Sequence, residues 1–479
     1  DSTDKTSSFF ATEDMFILGS IDQGVIFIKK VKNLVQQTNL IKDNTWHLTK
    51  NPQGFLVSSE SEMIELFDEN FTLIESFDTQ SQGYKYAILN DDGLYFGTST
   101  GLFLKTAGTV KLISEKSISS LSSNKDNSLI AAGTSDGKVL IISKGEVIRS
   151  VDTKKNEPIF DIELESIDVI YTAGQGGLKE YKNGLLKNLS EEITYSIVKD
   201  DHGIYFGTST SLMFYNKNNN KTSEVFSNKK EIYSIVNSNN FLTAASLSEV
   251  IIYEKKNEKS YTLKTSNGSQ YEYNSPRGID VNGYVLLAGI NGVSLVSPIN
   301  VVNYINNRKI NKTEISEFLV FNIIQENESN FVNKKNPTKN EITLKYSDYP
   351  FSFNFISPMS DDSSTNYHYR MYGLSDTWIS ANGTNSATYT NLSPGKYTFQ
   401  VYAVDSLSGE KSVTKELDVI ITPPWWSSFQ AKSIYVVITI FISFIIVKAI
   451  LRRRETQRKI VLSEERLKLS LWGSGDEMW

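Results

Sequence analysis

An apolar strand ending in a small pair of residues returns eight times in the first 300 positions, about 33–44 residues apart. The copies read FILGS (16–20), FLVSS (55–59), LYFGT (94–98), LIAAGT (129–134), IYTAG (170–174), IYFGT (204–208), FLTAAS (241–246) and VLLAG (285–289). The two best continue alike, as FGTSTGLFL after Tyr95 and FGTSTSLMF after Tyr205. A further short strand precedes the anchor (YAILNDDG, YSIVKDDHG, YSIVNSNN), and an outer one such as TVKLIS or KTSEVF follows it. A unit of this size cannot bury its own apolar face, so neighbours must stack. Four short strands per unit, small residues where strands crowd an axis, and polar turns between them describe the blades of a β-propeller. Glycine at the strand end permits close backbone approach there. An elongated β-solenoid or a row of sandwiches is the alternative, but β-helix rungs are shorter than this period. Eight anchors give seven or eight blades. The last copy, VLLAGINGVSLVSP, lacks an outer strand, so closure would borrow one from the N-terminal side. A second propeller upstream is also compatible.

Composition removes several function classes. The chain has 479 residues, with 49 Lys+Arg against 55 Asp+Glu and a net charge of −6, which disfavours a general nucleic-acid binder. It has no cysteine, hence no disulfide, thiolate nucleophile or thiolate metal site. Three histidines (His47, His202, His368) without an HExxH pair make a histidine-built zinc site implausible. There is no G-x-x-x-x-G-K-[ST] phosphate loop and no G-x-S-x-G elbow; Gly133 to Lys138 has the wrong spacing and falls in a blade turn. Acidic pairs such as Asp91-Asp92 and Asp361-Asp362 read as solvated turns. No catalytic residue, metal ligand or cofactor is assigned.

A membrane span is expected at 433–451, SIYVVITIFISFIIVKAIL. Nineteen helical residues reach about 28 Å, close to a hydrocarbon core of ~30 Å. Lys448 can snorkel to the interface. Trp425, Trp426 and Phe429 stand before the run as an aromatic belt, and Arg452, Arg453, Arg454, Arg458 and Lys459 follow it. The positive-inside bias puts 452–479 in the cytoplasm and 1–430 in the periplasm, in the inner membrane. The tail carries seven Lys/Arg and five Asp/Glu, net +2, so residues 1–451 carry −8. The chain is read as a segment of a longer polypeptide whose export signal lies upstream.

Between repeats and span, residues 341–421 read EITLKYSDYPFSFNFISP, NYHYRMYGLSDTWI, ATYTNLSPGKYTFQVYAVD and LDVIITPPWW. Alternation from Thr398 to Val404 has the period of a half-buried strand, and Pro394-Gly395 supplies a turn before it. ISEFLVFNII (315–324) would begin this module, with an Asn/Lys-rich loop at 325–340.

The repeats resemble the two-component regulator propeller repeat: Asp200, Gly203, IYFGT and Phe214-Tyr215 match its pattern, with Tyr95 and Tyr205 in the tryptophan place. The second module resembles the three-tyrosine domain, an immunoglobulin-like sandwich, through Tyr369, Tyr372, Gly373, Trp378, Tyr389, Leu392, Pro394, Gly395, Tyr397 and the Pro423-Pro424-Trp425 exit. Those tyrosines are read as packing residues. The end, SEERLKLSLWGSGDEMW, resembles the opening of a PAS domain of GGDEF- and EAL-type sensors. Gly473–Glu477 is not itself a cyclase loop, since only four residues follow Gly475.

The expected architecture is mainly β: propeller at 1–300, sandwich at 301–424, transmembrane helix at 433–451, cytoplasmic helix at 452–470 and a PAS-like start at 471–479. Ile460 and Leu467, and Leu462 and Leu469, are seven apart, which suits a parallel homodimer helix. The resemblance implies a sensor whose propeller binds an extracellular ligand, such as an oligosaccharide, and drives a cyclase- or phosphodiesterase-type output. A hybrid histidine kinase sensor and a membrane-anchored carbohydrate-active enzyme are the alternatives. Propellers bind where loops converge on the axis. Tyr86, Tyr195 and Tyr233, alike in Y-[AS]-I-[VL], and Tyr273 with Arg277 before a fourth blade are the candidate ligand residues.

Overall fold

A computed structural model describes residues 6–11, 15–20, 24–29, 33–154, 156–307, 312–324, 341–357 and 365–473, the first three segments as backbone only. The chain divides into two units, 1–309 with 406–409, and 310–405 with 410–479.

The first unit holds seven antiparallel four-stranded sheets, each a meander in sequence order except the last. Blade 1 comprises Thr45–Asn51, Gly54–Ser59, Met63–Phe67 and Leu73–Asp78. Blades 2 to 6 repeat the plan from Tyr86, Ile118, Ile159, Thr194 and Ser234. Each first strand touches that of the next blade, and Ile279–Val281 of blade 7 touches both Ser234–Asn237 and Thr45–Asn51, which closes a ring. Blade 7 takes its outer strand from the other end of the chain: Val35–Gln37 pairs with Gly292–Val296 in the register Val35↔Val296 and Gln37↔Ser294. The borrowed strand foreseen at closure is this one. The FILGS copy lies in a separate three-stranded sheet, 6–11, 15–20 and 24–29, so the ring has seven blades.

The anchor motif marks the second strand of each blade, packed between neighbouring blades on both faces. Gly54–Ser59, Ile130–Thr134 and Phe241–Ala245 are buried at every position. Buried on both sides, such strands read as continuous apolar runs rather than alternations. Outer strands such as Leu73–Asp78 and Thr109–Ser114 face solvent and read as polar. The terminal glycine is a matter of room. A Cβ on Gly97 would lie 2.5 Å from the Ile118 side chain of the next blade, and one on Gly207 would lie 2.4 Å from the Ile232 carbonyl.

The second unit is a sandwich of a four-stranded and a five-stranded sheet. Glu314–Val320 and Phe351–Ile356 pair in one; Lys415–Thr422, Gly395–Asp405 and Thr365–Tyr372 are central to the other. Phe353 and Phe399, one from each sheet, stack at 4.4 Å in the core. Tyr369 and Tyr389 pack on Phe399 at 6.3 and 6.2 Å, while Tyr372 stays 53% exposed and Tyr397 donates its hydroxyl to the Ser393 carbonyl at 2.8 Å. The 325–340 loop lies outside the described residues.

After a turn at Trp425–Ser427, Ser428 caps the helix with its hydroxyl, accepting from the Ala431 N–H at 3.2 Å. The helix then runs unbroken from Phe429 to Gly473. It is long and apolar enough to cross a membrane, with a mean hydropathy of 2.7 over its best window. The expected span and cytoplasmic helix are one element, because Arg, Glu, Gln and Lys after Leu451 are themselves good helix formers. Most of the PAS-like start, 474–479, lies outside the described residues.

Candidate ligand site on the propeller axis

Near the start of its first strand every blade repeats one short register. The seven triplets are Trp46-His47-Leu48, Tyr86-Ala87-Ile88, Ser119-Ser120-Leu121, Phe160-Asp161-Ile162, Tyr195-Ser196-Ile197, Tyr233-Ser234-Ile235 and Arg277-Gly278-Ile279. Successive side chains of a strand point to opposite faces, so the three positions do different work. The first residue is half-buried in all seven. The second is buried in six, and in four of these its side chain ties its blade to the next. His47 Nδ1 accepts the Ala87 N–H at 3.3 Å, Ser120 donates to the Ile159 carbonyl at 2.9 Å, Asp161 accepts the Ile197 N–H at 2.9 Å, and Ser196 donates to the Ile232 carbonyl at 3.3 Å.

Five of the seven first positions are aromatic, and with neighbouring rings they make a collar in two arcs. Phe160 stacks on Tyr195 at 5.9 Å, and Tyr195 meets Tyr233 edge-on at 5.1 Å. On the other arc Tyr86 lies 5.4 Å from His47 and 6.1 Å from Tyr84, which meets Trp46 at 6.1 Å. Burial, then the neighbouring Tyr84 and Asp161, pushes the Tyr86 hydroxyl far above its ordinary range; burial and Glu231 do the same more mildly for Tyr195.

Arg277 crosses the axis to blade 4. Its Nε donates to Asp161 Oδ1 at 2.7 Å, and its Nη2 reaches Glu163 Oε2 at 2.9 Å and the Ile162 carbonyl. Burial lifts the Asp161 carboxyl to about 6, against the pull of Arg277 and the Ile197 N–H, so it is ionised at neutral pH. Burial, with Arg277 nearby, lowers His47 to about 3, so the imidazole is neutral there. Since Nδ1 accepts from Ala87, the proton sits on Nε2.

Beside this strut lies a cavity of about 450 Å³, lined by the later parts of the same strands. Much of its wall is already engaged: Asn51 donates to the Leu89 carbonyl at 3.1 Å, and Asn237 donates to the Lys199 carbonyl at 3.0 Å. Lys50 and Lys125 are exposed at its wall and have no partner among the described residues. The site can bind and orient a ligand with pre-set walls. Among the described residues no group of three or more His, Asp or Glu is placed to hold a metal ion.

The structure thus brings Tyr86, Tyr195, Tyr233 and Arg277 to one register position around one axis. It places Tyr273 elsewhere. That ring is 2% exposed in the core at blade 7, with its hydroxyl 3.1 Å from the Ser269 hydroxyl and accepting the Gln270 N–H at 3.2 Å. Tyr273 is a packing residue because its position precedes the register by four. Trp46 and Phe160 were missed, although WHL and FDI stand where YAI and YSI stand.

Residues 358–422 match the Y_Y_Y domain family. No curated protein sequence matches the chain. Among solved structures it is similar to the extracellular domain of a protein described as a hybrid two component system from B. thetaiotaomicron, at 20% identity and a TM-score of 0.70. That match covers 88% of this chain and 62% of the other, so the chain spans less than two thirds of that structure's length. A second extracellular domain from B. thetaiotaomicron, described as a one component system, is 15% identical with a TM-score of 0.47, covering 88% of this chain and 63% of that one. The first likeness shows the fold.

Proposed function

We propose that this chain is the sensory part of a bacterial single-pass receptor, with the propeller and sandwich in the periplasm and residues 452–479 in the cytoplasm across the inner membrane. The ligand sits on the propeller axis; the polar wall of the cavity suits the hydroxyls of an oligosaccharide, and the aromatic collar at the starts of the same strands offers faces on which its rings can stack. The observation that carries the reading is the unbroken helix from Phe429 to Gly473, which starts seven residues after the last sandwich strand ends at Thr422. A rigid rod of about 68 Å can carry a rotation or shift from outside to inside without an intervening joint. It works as a homodimer, since a change of spacing needs two rods. Ligand must bind one dimer geometry better than the other; a 100-fold preference is worth about 2.7 kcal/mol.

Beyond the chain we assign an output of diguanylate cyclase or phosphodiesterase type, from the PAS-like tail. The description of the similar B. thetaiotaomicron structure favours a second reading, a hybrid histidine kinase. Cyclic dinucleotide turnover and phosphotransfer, assayed on the full-length parent, separate them.

Inserting two residues after Arg454 rotates everything beyond by about 200°. Ligand-dependent output in the parent should be lost with ectodomain binding intact. Unchanged ligand-dependent output would remove the rod as the transmitter.

A further inference from the structure

A second groove lies off the axis, on the propeller's flank, between blade 7, blade 1 and the helix Pro298–Asn306 (α1). Its volume of about 760 Å³ falls in the range of small-molecule sites, roughly 300–1,000 Å³. In a chain that is 22% charged, no Asp, Glu, Lys or Arg among the described residues lines it. Its described lining is five amides and three aromatic rings, with three aliphatic side chains and Ser297.

Helix α1 explains the amides. It buries Val301, Val302 and Ile305 against the blade 7 core and leaves Asn300 and Asn303 exposed. Residues three apart share a helix face, so the two amides stand side by side. Asn33 adds a third from the strand-entry side. Unlike the axial amides, none of these three side chains has a hydrogen-bond partner among the described residues.

The aromatics come from three elements. Tyr284, 39% exposed, begins the second strand of blade 7; Tyr304 is on α1; Phe71 is in a turn of blade 1. Phe71 has φ 66°, a backbone conformation that bulky residues rarely adopt. The Asp68 carboxylate holds that turn, accepting the N–H groups of Asn70 at 2.9 Å and Thr72 at 2.7 Å. The Phe71 ring packs edge-on against Phe55 at 5.8 Å at the margin of the core, which fixes it at the edge of the groove.

We propose that this groove is a second binding site, for an uncharged, hydroxyl-rich ligand of the neutral-sugar class. Aromatic faces take the C–H side of a sugar ring, and unengaged amides offer both donors and acceptors to its hydroxyls. A carboxylated or sulfated sugar would find no counter-charge among the described residues that line it. The site is independent of the axial reading and stands or falls separately.

The test uses the full chain in nanodiscs, with cellobiose, maltose and xylobiose as probes, read by saturation-transfer NMR and titration calorimetry. At least one should bind, its glucuronic-acid analogue tenfold or more weaker. Tyr284→Ala should weaken the neutral disaccharide tenfold or more, and so should Asn300→Asp with Asn303→Asp, exposed helix positions that leave folding intact. No response to any of the three sugars overturns the proposal. So does binding that survives Tyr284→Ala but is lost in Lys50→Ala, which would put the sugar on the axis.

Discussion

The propeller and the sandwich are both all-β, yet they hold together differently. Propeller cores are divided among seams. One cluster joins blades 2 and 3 through Tyr95, Leu102, Ile118 and Ile130, and another joins blades 4 and 5 through Tyr171, Leu178, Ile197 and Phe206. The sandwich has a single cluster in which Phe318, Phe351, Phe353, Phe355 and Phe399 meet. A repeated fold spreads its stability over nearest-neighbour contacts, whereas the sandwich rests it on a few rings. Damage should therefore stay local in one and be general in the other.

The largest expected effect is in the sandwich. Phe353→Ala should cost about 3–5 kcal/mol. Scanning calorimetry should show the sandwich transition falling while the propeller transition holds; equal shifts of both would erase the distinction.

The next effect reads the propeller axis through pH. Buried neutral His47, at about 3 in the fold against 6.5 free, stabilises the fold above pH 6.5 and loses that contribution as pH falls toward 3. Between pH 7.5 and 4.5 the loss is about 2–3 kcal/mol. Asp161 has the opposite sign: its carboxyl, raised to about 6, favours the fold progressively as pH falls through that value, so the wild type alone changes less. His47→Asn keeps an acceptor for the Ala87 N–H and removes the titration. Urea melts should therefore show the gap between variant and wild type moving by about 2–3 kcal/mol in the variant's favour over that window. A constant gap would mean that His47 is not held neutral.

Smaller still is a single seam. Gly97→Ala forces a methyl to within 2.5 Å of Ile118 and should cost about 1–3 kcal/mol in the propeller transition alone. At the bottom of the scale, Leu185→Glu on an outer strand, at a position 75% exposed, should change either transition by less than about 0.5 kcal/mol. A larger loss there would show that outer strands hold the blades as much as the seams do.

These contrasts also explain what could be read from the sequence. LYFGT and its copies were legible because burial on both faces leaves an unbroken apolar run, and crowding leaves a glycine. The collar was half legible. Register, not residue type, puts a side chain on the axis, so the three tyrosines announced themselves while Trp46, Ser119 and Phe160 did not. Tyr273 lies off the axis because it precedes by four the register position that Arg277 holds. The Arg277–Asp161 strut joins residues 116 apart, and no local pattern encodes such a pair. In the sandwich Tyr369 and Tyr389 are wall rather than site, as their packing against Phe399 shows.

The borrowed strand has a consequence in time. Gln37 is made 257 residues before Ser294, against which it must lie. At roughly 5–20 residues per second, that interval lasts tens of seconds. Six blades can form in order as their own residues arrive, each from neighbours in sequence. The seventh has to wait, and until it is complete Val35–Gln37 is a free edge with no partner in its own chain. A stalled or shortened chain would offer that edge to the blade 7 of another copy, and exchange of closing strands is then the hazard that the ring carries from its birth.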